Sequence, residues 1–193
     1  MKGLKIKRAW PIAALLLVAA LVLAGCGVTA TPSAKPTPFE ILSTGEYVWH
    51  EGEAFLSQSG SRTTDFKAPA SKGTCLGMGW GSHRGDFVEY EVDLPFNLPS
   101  AVLYLRYARE VRWAAELDVY AAGKLVGTSP SISLEPTGGW GYQAGEWAYQ
   151  KLPLGSMEAS KYRMRFVSLV DGGGVNIDGF FIADESFEVP RGF

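Results

Sequence analysis

Between Val88 and Leu94 apolar and acidic side chains alternate, with Val88, Tyr90, Val92 and Leu94 set against Glu89, Glu91 and Asp93. A period of two sends the first set to one face of a strand and the second to the other, so this segment demands a sheet with one buried and one wet side. Leu117, Val119 and Ala121 against Glu116, Asp118 and Tyr120 repeat the pattern, as do Tyr162, Met164 and Phe166 against Arg163 and Arg165. Residues 102–107 and 147–154 read as two further strands, bounded by Asn97-Leu98-Pro99 and Gly155-Ser156, and Ala122-Gly123-Lys124 is a hairpin-type turn. The one helix-friendly stretch, 156–161, is too short to be more than a turn. Many short strands separated by turns predict an all-β fold, an antiparallel sandwich or barrel. No internal repeat is visible, which argues against a propeller or solenoid.

The first residues stand outside that pattern. Lys2, Lys5, Lys7 and Arg8 precede an apolar run from Ile12 to Leu23, the order of an export signal and too short for a comfortable membrane span. The run ends in Leu23-Ala24-Gly25-Cys26, which resembles the bacterial lipobox. Residues 1–25 are therefore expected to be a signal peptide, and Cys26 the lipidated first residue of an exported, envelope-anchored lipoprotein. From 26 to 45 the chain is rich in Thr, Ala, Ser and Pro, a composition that buries too little to order itself and reads as a tether. Removing the first 25 residues takes away four basic and no acidic side chains, leaving 14 against 20 and a net charge of −6. That deficit, with no compensating basic stripe, argues against nucleic acid as a partner. With Cys26 assigned to lipid, Cys75 has no disulfide partner and is expected to be a small buried hydrophobe.

Catalytic signatures are sparse. His50 and His83 are the two histidines, so a three-histidine metal site is impossible, and no serine stands in a Gly-x-Ser-x-Gly elbow. The glycine-rich run 77–81 lacks the Gly-Lys-Ser/Thr ending of a phosphate loop. Most acidic residues occupy the wet half of the alternations. Three behave otherwise: Glu51 and Glu53 lie two apart on an opening strand and Asp178 lies in a closing one. If first and last strands are neighbours, these carboxylates converge and call for a hard cation such as calcium; otherwise they are three separate surface acids. A last feature is Pro136–Gln150, where two tryptophans and two tyrosines sit among glycines, either packed as core or displayed as a binding platform.

"HEGEAF", "LGMGWGSHRGDFVEYEVDLP", "LYLRYA", "DVYAAGKLVGT", "PTGGW" and "VNIDGFFI", in that order, resemble the landmarks of family 6 and family 35 carbohydrate-binding modules, over roughly residues 46–186. The resemblance implies a galactose-binding-domain-like jelly-roll β-sandwich over 46–187, followed by a short tail, 188–193. It also implies a structural calcium on Glu51, Glu53 and Asp178, and a loop cleft in which Trp80 and Trp140 stack on a sugar ring while Asn176 bonds its hydroxyls. Trp147 and Tyr149 are expected in the core or on a sheet face. Trp113 either lines the cleft or caps the core. Gly52 replaces the common alanine between the glutamates, and the link "GYQAGE" after Trp140 is longer than the family's usual one.

The expected function is non-catalytic binding of poly- or oligosaccharide by a lipid-anchored surface protein, which touches the membrane through its lipid alone and serves separate glycan-degrading enzymes or transporters. The alternative is a structural or protein-interaction module that keeps the sandwich without binding sugar. An independent hydrolase is the weakest reading, since no nucleophile or acid-base pair announces itself.

Overall fold

The computed structural model describes residues 47–60 and 64–190, so the expected export signal, Cys26 and the expected tether lie outside the described residues. Eleven strands follow in chain order: β1 (Tyr47–Glu51), β2 (Ser57–Gln58), β3 (Thr64–Phe66), β4 (Thr74–Leu76), β5 (Phe87–Leu94), β6 (Leu98–Ala108), β7 (Trp113–Ala121), β8 (Lys124–Leu134), β9 (Ala148–Met157), β10 (Ser160–Ser168) and β11 (Asn176–Asp184). The first sheet runs β3-β4-β11-β6-β9, with β1 also paired to β11; the second runs β2-β5-β10-β7-β8. All registered pairs are antiparallel. The predicted sandwich is present. The stretch 156–161 forms no helix and instead supplies the ends of the β9–β10 hairpin.

The second sheet keeps its alternation. Val88, Tyr90, Val92 and Leu94 of β5, Leu117 and Val119 of β7, and Tyr162, Met164 and Phe166 of β10 are buried between the sheets. Their acidic and basic neighbours line the outer face, where Glu89 pairs with Arg165 and Glu91 with Lys161. The β7–β8 turn is held by left-handed Ala122 (φ 47°) and Gly123 (φ 76°), the tight hairpin geometry that matches strand twist.

The first sheet is apolar on both faces, and for that reason its strands show no clean alternation. Leu103, Leu105, Ile177, Phe180 and Ile182 face the main core. Val102, Tyr104, Phe181, Ala183 and Phe187 form a second cluster with Tyr47, Trp49 and Tyr149. A sheet covered on both sides reads as continuous burial along β6 and β11.

The opening strand closes on the last one, with Tyr47 opposite Ala183 and Glu51 opposite Gly179. The register of β11 against β6 shifts between Ile177 and Gly179, an irregularity centred on Asp178. The Gly52 N–H donates to the Asp178 carbonyl at 2.7 Å, and the buried Tyr90 hydroxyl reaches across the sandwich to the Gly52 carbonyl at 2.9 Å. The approach is so close that a methyl group on Gly52 would lie 2.1 Å from the Ile177 carbonyl oxygen. An obstacle made of backbone cannot swing aside. Gly52→Ala is therefore expected to destabilise the domain by about 1–3 kcal/mol, read as a lowered urea midpoint at unchanged slope.

Candidate functional site

The loop after β4 decides the fate of Trp80. Met78 (φ 55°), Gly79 (φ 87°) and Gly81 (φ 76°) are left-handed, so the chain reverses twice within a few residues. Met78 is thrown outward, at 41% exposure, and Trp80 inward, at 0%. Trp80 packs against Trp113, with ring centroids 5.7 Å apart, and its Nε1 donates to the Phe87 carbonyl at 3.3 Å. Trp113 is equally buried and donates to the Gly81 carbonyl at 2.9 Å. These indoles plug one end of the main core. Trp80 is thus not a ligand-stacking residue, and Trp113 caps the core and lines no cleft.

Asn176 departs from expectation as well. It is 3% exposed, and its Nδ2 donates to the Trp140 carbonyl at 2.7 Å, which clamps the aromatic loop to the end of β11. On its other side a methyl on Gly77 would come within 2.5 Å of its Oδ1. Its Nδ2 is therefore engaged in holding the protein's own aromatic loop.

Trp140 itself is half-buried, and Tyr142, two residues on, is 69% exposed. Lys67 lies behind the Tyr142 ring, its Nζ 3.4 Å from the centroid and 2.8 Å from Asp65 Oδ2. Burial works to lower the Lys67 pKa, but the Asp65 contact and then Tyr142 outweigh it and hold the ammonium above its ordinary value. The loop bearing both rings is braced from within. Glu146 accepts from the Tyr142 and Gln143 N–H groups, the Thr137 N–H donates to the Arg109 carbonyl while the Thr137 hydroxyl accepts from the Arg109 N–H, and Trp147 Nε1 donates to the Gly141 carbonyl at 3.1 Å. Contacts thus run in a circuit from Trp140 through Asn176, Gly77, Asp65 and Lys67 back to Tyr142. The sequence concealed Asp65, Lys67 and Tyr142 as partners, because they meet only when the β3–β4 hairpin folds beside the β8–β9 loop.

Two other grooves, each of about 460 Å³, lie apart from this circuit. One follows the edges of β8 and β9 past Val126, Pro153 and Met157; the other crosses the charged face of β5, β7 and β10.

β1 lies beside β11, and Glu53 feels the charges of Glu51 and Asp178 there. Asp178 is 0% exposed; its Oδ1 accepts from the Ser71 N–H at 2.8 Å, with the Ser71 hydroxyl 3.1 Å away, and its Oδ2 pairs with Arg106 Nη1. Glu51 accepts from that same hydroxyl and pairs with Lys72 at 3.2 Å. Glu53 accepts from the Thr74 hydroxyl at 2.8 Å through Oε1, while its buried Oε2 has no hydrogen-bond partner. Burial first, with the charges of Glu51 and Asp178 behind it, lifts the Glu53 carboxyl above its usual pKa. The orphaned oxygen suits a cation, yet the trio does not fit calcium as a shared three-carboxylate site. Asp178 is already closed by Arg106 and Ser71, and among the described residues no three His, Cys, Asp or Glu side chains are grouped to hold an ion. Cys75 lies nearby in β4, fully buried, and its thiol is pushed up to about 12 by burial, as an inert thiol should be.

No protein-family model matches the chain, and no curated protein matches it by sequence. Its fold is that of family 35 and family 6 carbohydrate-binding modules. The chain is similar to the family 35 module of Abf62 from Cellvibrio japonicus, with a TM-score of 0.56 and 15% identity over 76% of this chain and 99% of that one. It is similar to a module of lichenase 5A from Cellvibrio mixtus solved with cellotriose, with a TM-score of 0.53 and 20% identity over 70% and 95%. A third relative in structure is a family 35 module, Xyl-CBM35, solved with a disaccharide containing glucuronic acid, with a TM-score of 0.55 and 15% identity over 76% and 99%.

Beneath the aromatic loop lies one costly group. Arg109 is 0% exposed, and its three guanidinium nitrogens have no hydrogen-bond partner; burial pulls its pKa down to about 10. An unpaired buried cation opposes folding, so Arg109→Met is expected to stabilise the domain by about 1–3 kcal/mol. The check is a thermal melt, with a rise of roughly 2–4 °C for each kcal/mol.

Proposed function

We propose that this chain is a non-catalytic carbohydrate-binding protein that takes a sugar ring on the Trp140–Tyr142 loop and is held to the envelope by lipid on Cys26. The observation that carries the reading is the Tyr142 ring, exposed on one side and backed on the other by Lys67, which Asp65 anchors. A ring held flat before any ligand arrives loses little freedom on binding, and a pyranose offers it a face of C–H groups. Met78, next to Gly77, is also exposed, and its left-handed backbone is the kind of strain that functional loops retain. The fold shared with modules solved on oligosaccharides supports the same reading.

The alternative, a structural or protein-interaction module, is favoured by one observation. Trp80, one of the three residues expected to meet the sugar, is spent inside the protein, and the Nδ2 of Asn176 is taken by the Trp140 carbonyl.

A glycan array followed by calorimetry on the best ligand separates the two. Tyr142→Ala and Trp140→Ala are each expected to weaken binding about tenfold or more, equivalent to about 1.4 kcal/mol, with unchanged circular dichroism. Full retention in both variants, or no glycan bound at all, favours the alternative. Palmitate labelling that persists in Cys26→Ala would remove the anchor from the proposal.

A further inference from the structure

We propose that Arg106 supplies, from within the chain, the positive charge that holds the terminal strands together, so that closure of β1 on β11 requires no divalent cation. The inference is independent of glycan binding.

Asp178 sits at the register shift of β11 with no solvent exposure, and a carboxylate in that position needs a counter-charge. Arg106 is placed to provide it, because β6 is the neighbour of β11 and Arg106 stands opposite Gly179, one residue from Asp178. The guanidinium is itself fully buried. It rests 5.0 Å from the Trp147 ring and lies 3.4 Å from the Pro69 carbonyl, while Nη1 contacts Asp178 Oδ2. The second oxygen of Asp178 is taken by Ser71. Lys72 serves Glu51 in the same way from the rim.

A calcium ion bonded to Asp178 would stand about 2.3–2.6 Å from its oxygen. There it would meet a guanidinium that no water screens, and like charges repel most strongly where the dielectric is low. Arg106 and a dication are therefore alternatives at Asp178. The tight seat of Gly52 agrees with this. With its amide bonded to the Asp178 carbonyl and no room for a methyl against Ile177, the Glu51–Glu53 turn is drawn onto β11 by backbone contacts, and the Ser71 hydroxyl links the Glu51 and Asp178 carboxylates.

The experiment is thermal unfolding of the purified protein in EDTA and in excess calcium chloride, with calorimetric titration of calcium. The wild type is expected to melt at one temperature in both conditions and to take up no stoichiometric calcium. Arg106→Met should melt roughly 10 °C lower in EDTA and recover part of that loss when calcium is added. Should that variant fail to fold, Arg106→Lys is expected to fold and to stay indifferent to calcium. A wild type stabilised by calcium, an Arg106→Lys that becomes calcium-responsive, or a folded Arg106→Met that calcium leaves unchanged overturns the proposal.

Discussion

A carboxylate with no access to water cannot remain charged without help, and Asp178 stands where the first described strand, the last strand and the loop after β3 meet. Its pairing with Arg106 fixes β11 to β6 on the outer face of the first sheet. Its bonds to Ser71 draw the segment between β3 and β4 down over that face. The same segment begins at Lys67, which supports the Tyr142 ring. One buried ion pair thus stands at the root of both the strand closure and the exposed aromatic. Burial raises the Asp178 pKa, while Arg106 and then Ser71 draw it back, with the balance left above the usual carboxylate value.

The tryptophans show how glycine placement sorts large rings between core and surface. Trp80 and Trp113 each remove roughly 150–250 Å² from water, a gain of about 4–6 kcal/mol apiece at 25 cal/mol/Å². Each indole N–H finds a backbone carbonyl, Phe87 for Trp80 and Gly81 for Trp113, so neither carries an unpaired donor into the core. Left-handed Gly81 permits this, since a side chain there would meet the Trp113 ring at 3.0–3.2 Å. In the Trp140 loop the glycines act differently. Gly141 leaves space for the Trp147 ring to tuck beneath, and Tyr142 remains outside.

This difference explains what the sequence disclosed and what it hid. Strands with one wet face, β5, β7 and β10, declared themselves by period, and the Ala122-Gly123 turn by composition. The two-residue spacing of Glu51 and Glu53 put them on one side of the opening strand, and the neighbouring of first and last strands, a premise of that reading, is what the pairing of β1 with β11 supplies. Trp80 was illegible because a ring flanked by glycines can be turned either way, and the deciding variables are backbone angles that the letters do not state. The bond from Asn176 was hidden for a related reason: an amide N–H suited to sugar hydroxyls is equally suited to a backbone carbonyl.

Arg106 was legible in principle. In "LYLRYA" it stands between Leu105 and Tyr107, on a strand that is apolar at every neighbouring position, where no wet face exists for a guanidinium to reach. A cation in such a run is costly unless an acid stands beside it, and the adjacent strand offers Asp178 at that level. Read this way, the charge pattern assigns the counter-ion before any metal is considered. The aromatic loop differs in kind. Its support comes from Lys67 and Asp65, some seventy-five residues earlier in the chain, and chain separation of that order leaves no periodic trace. Strand closure can thus be inferred from local pattern plus strand order, whereas a platform assembled from two distant loops becomes visible only once the loops are folded.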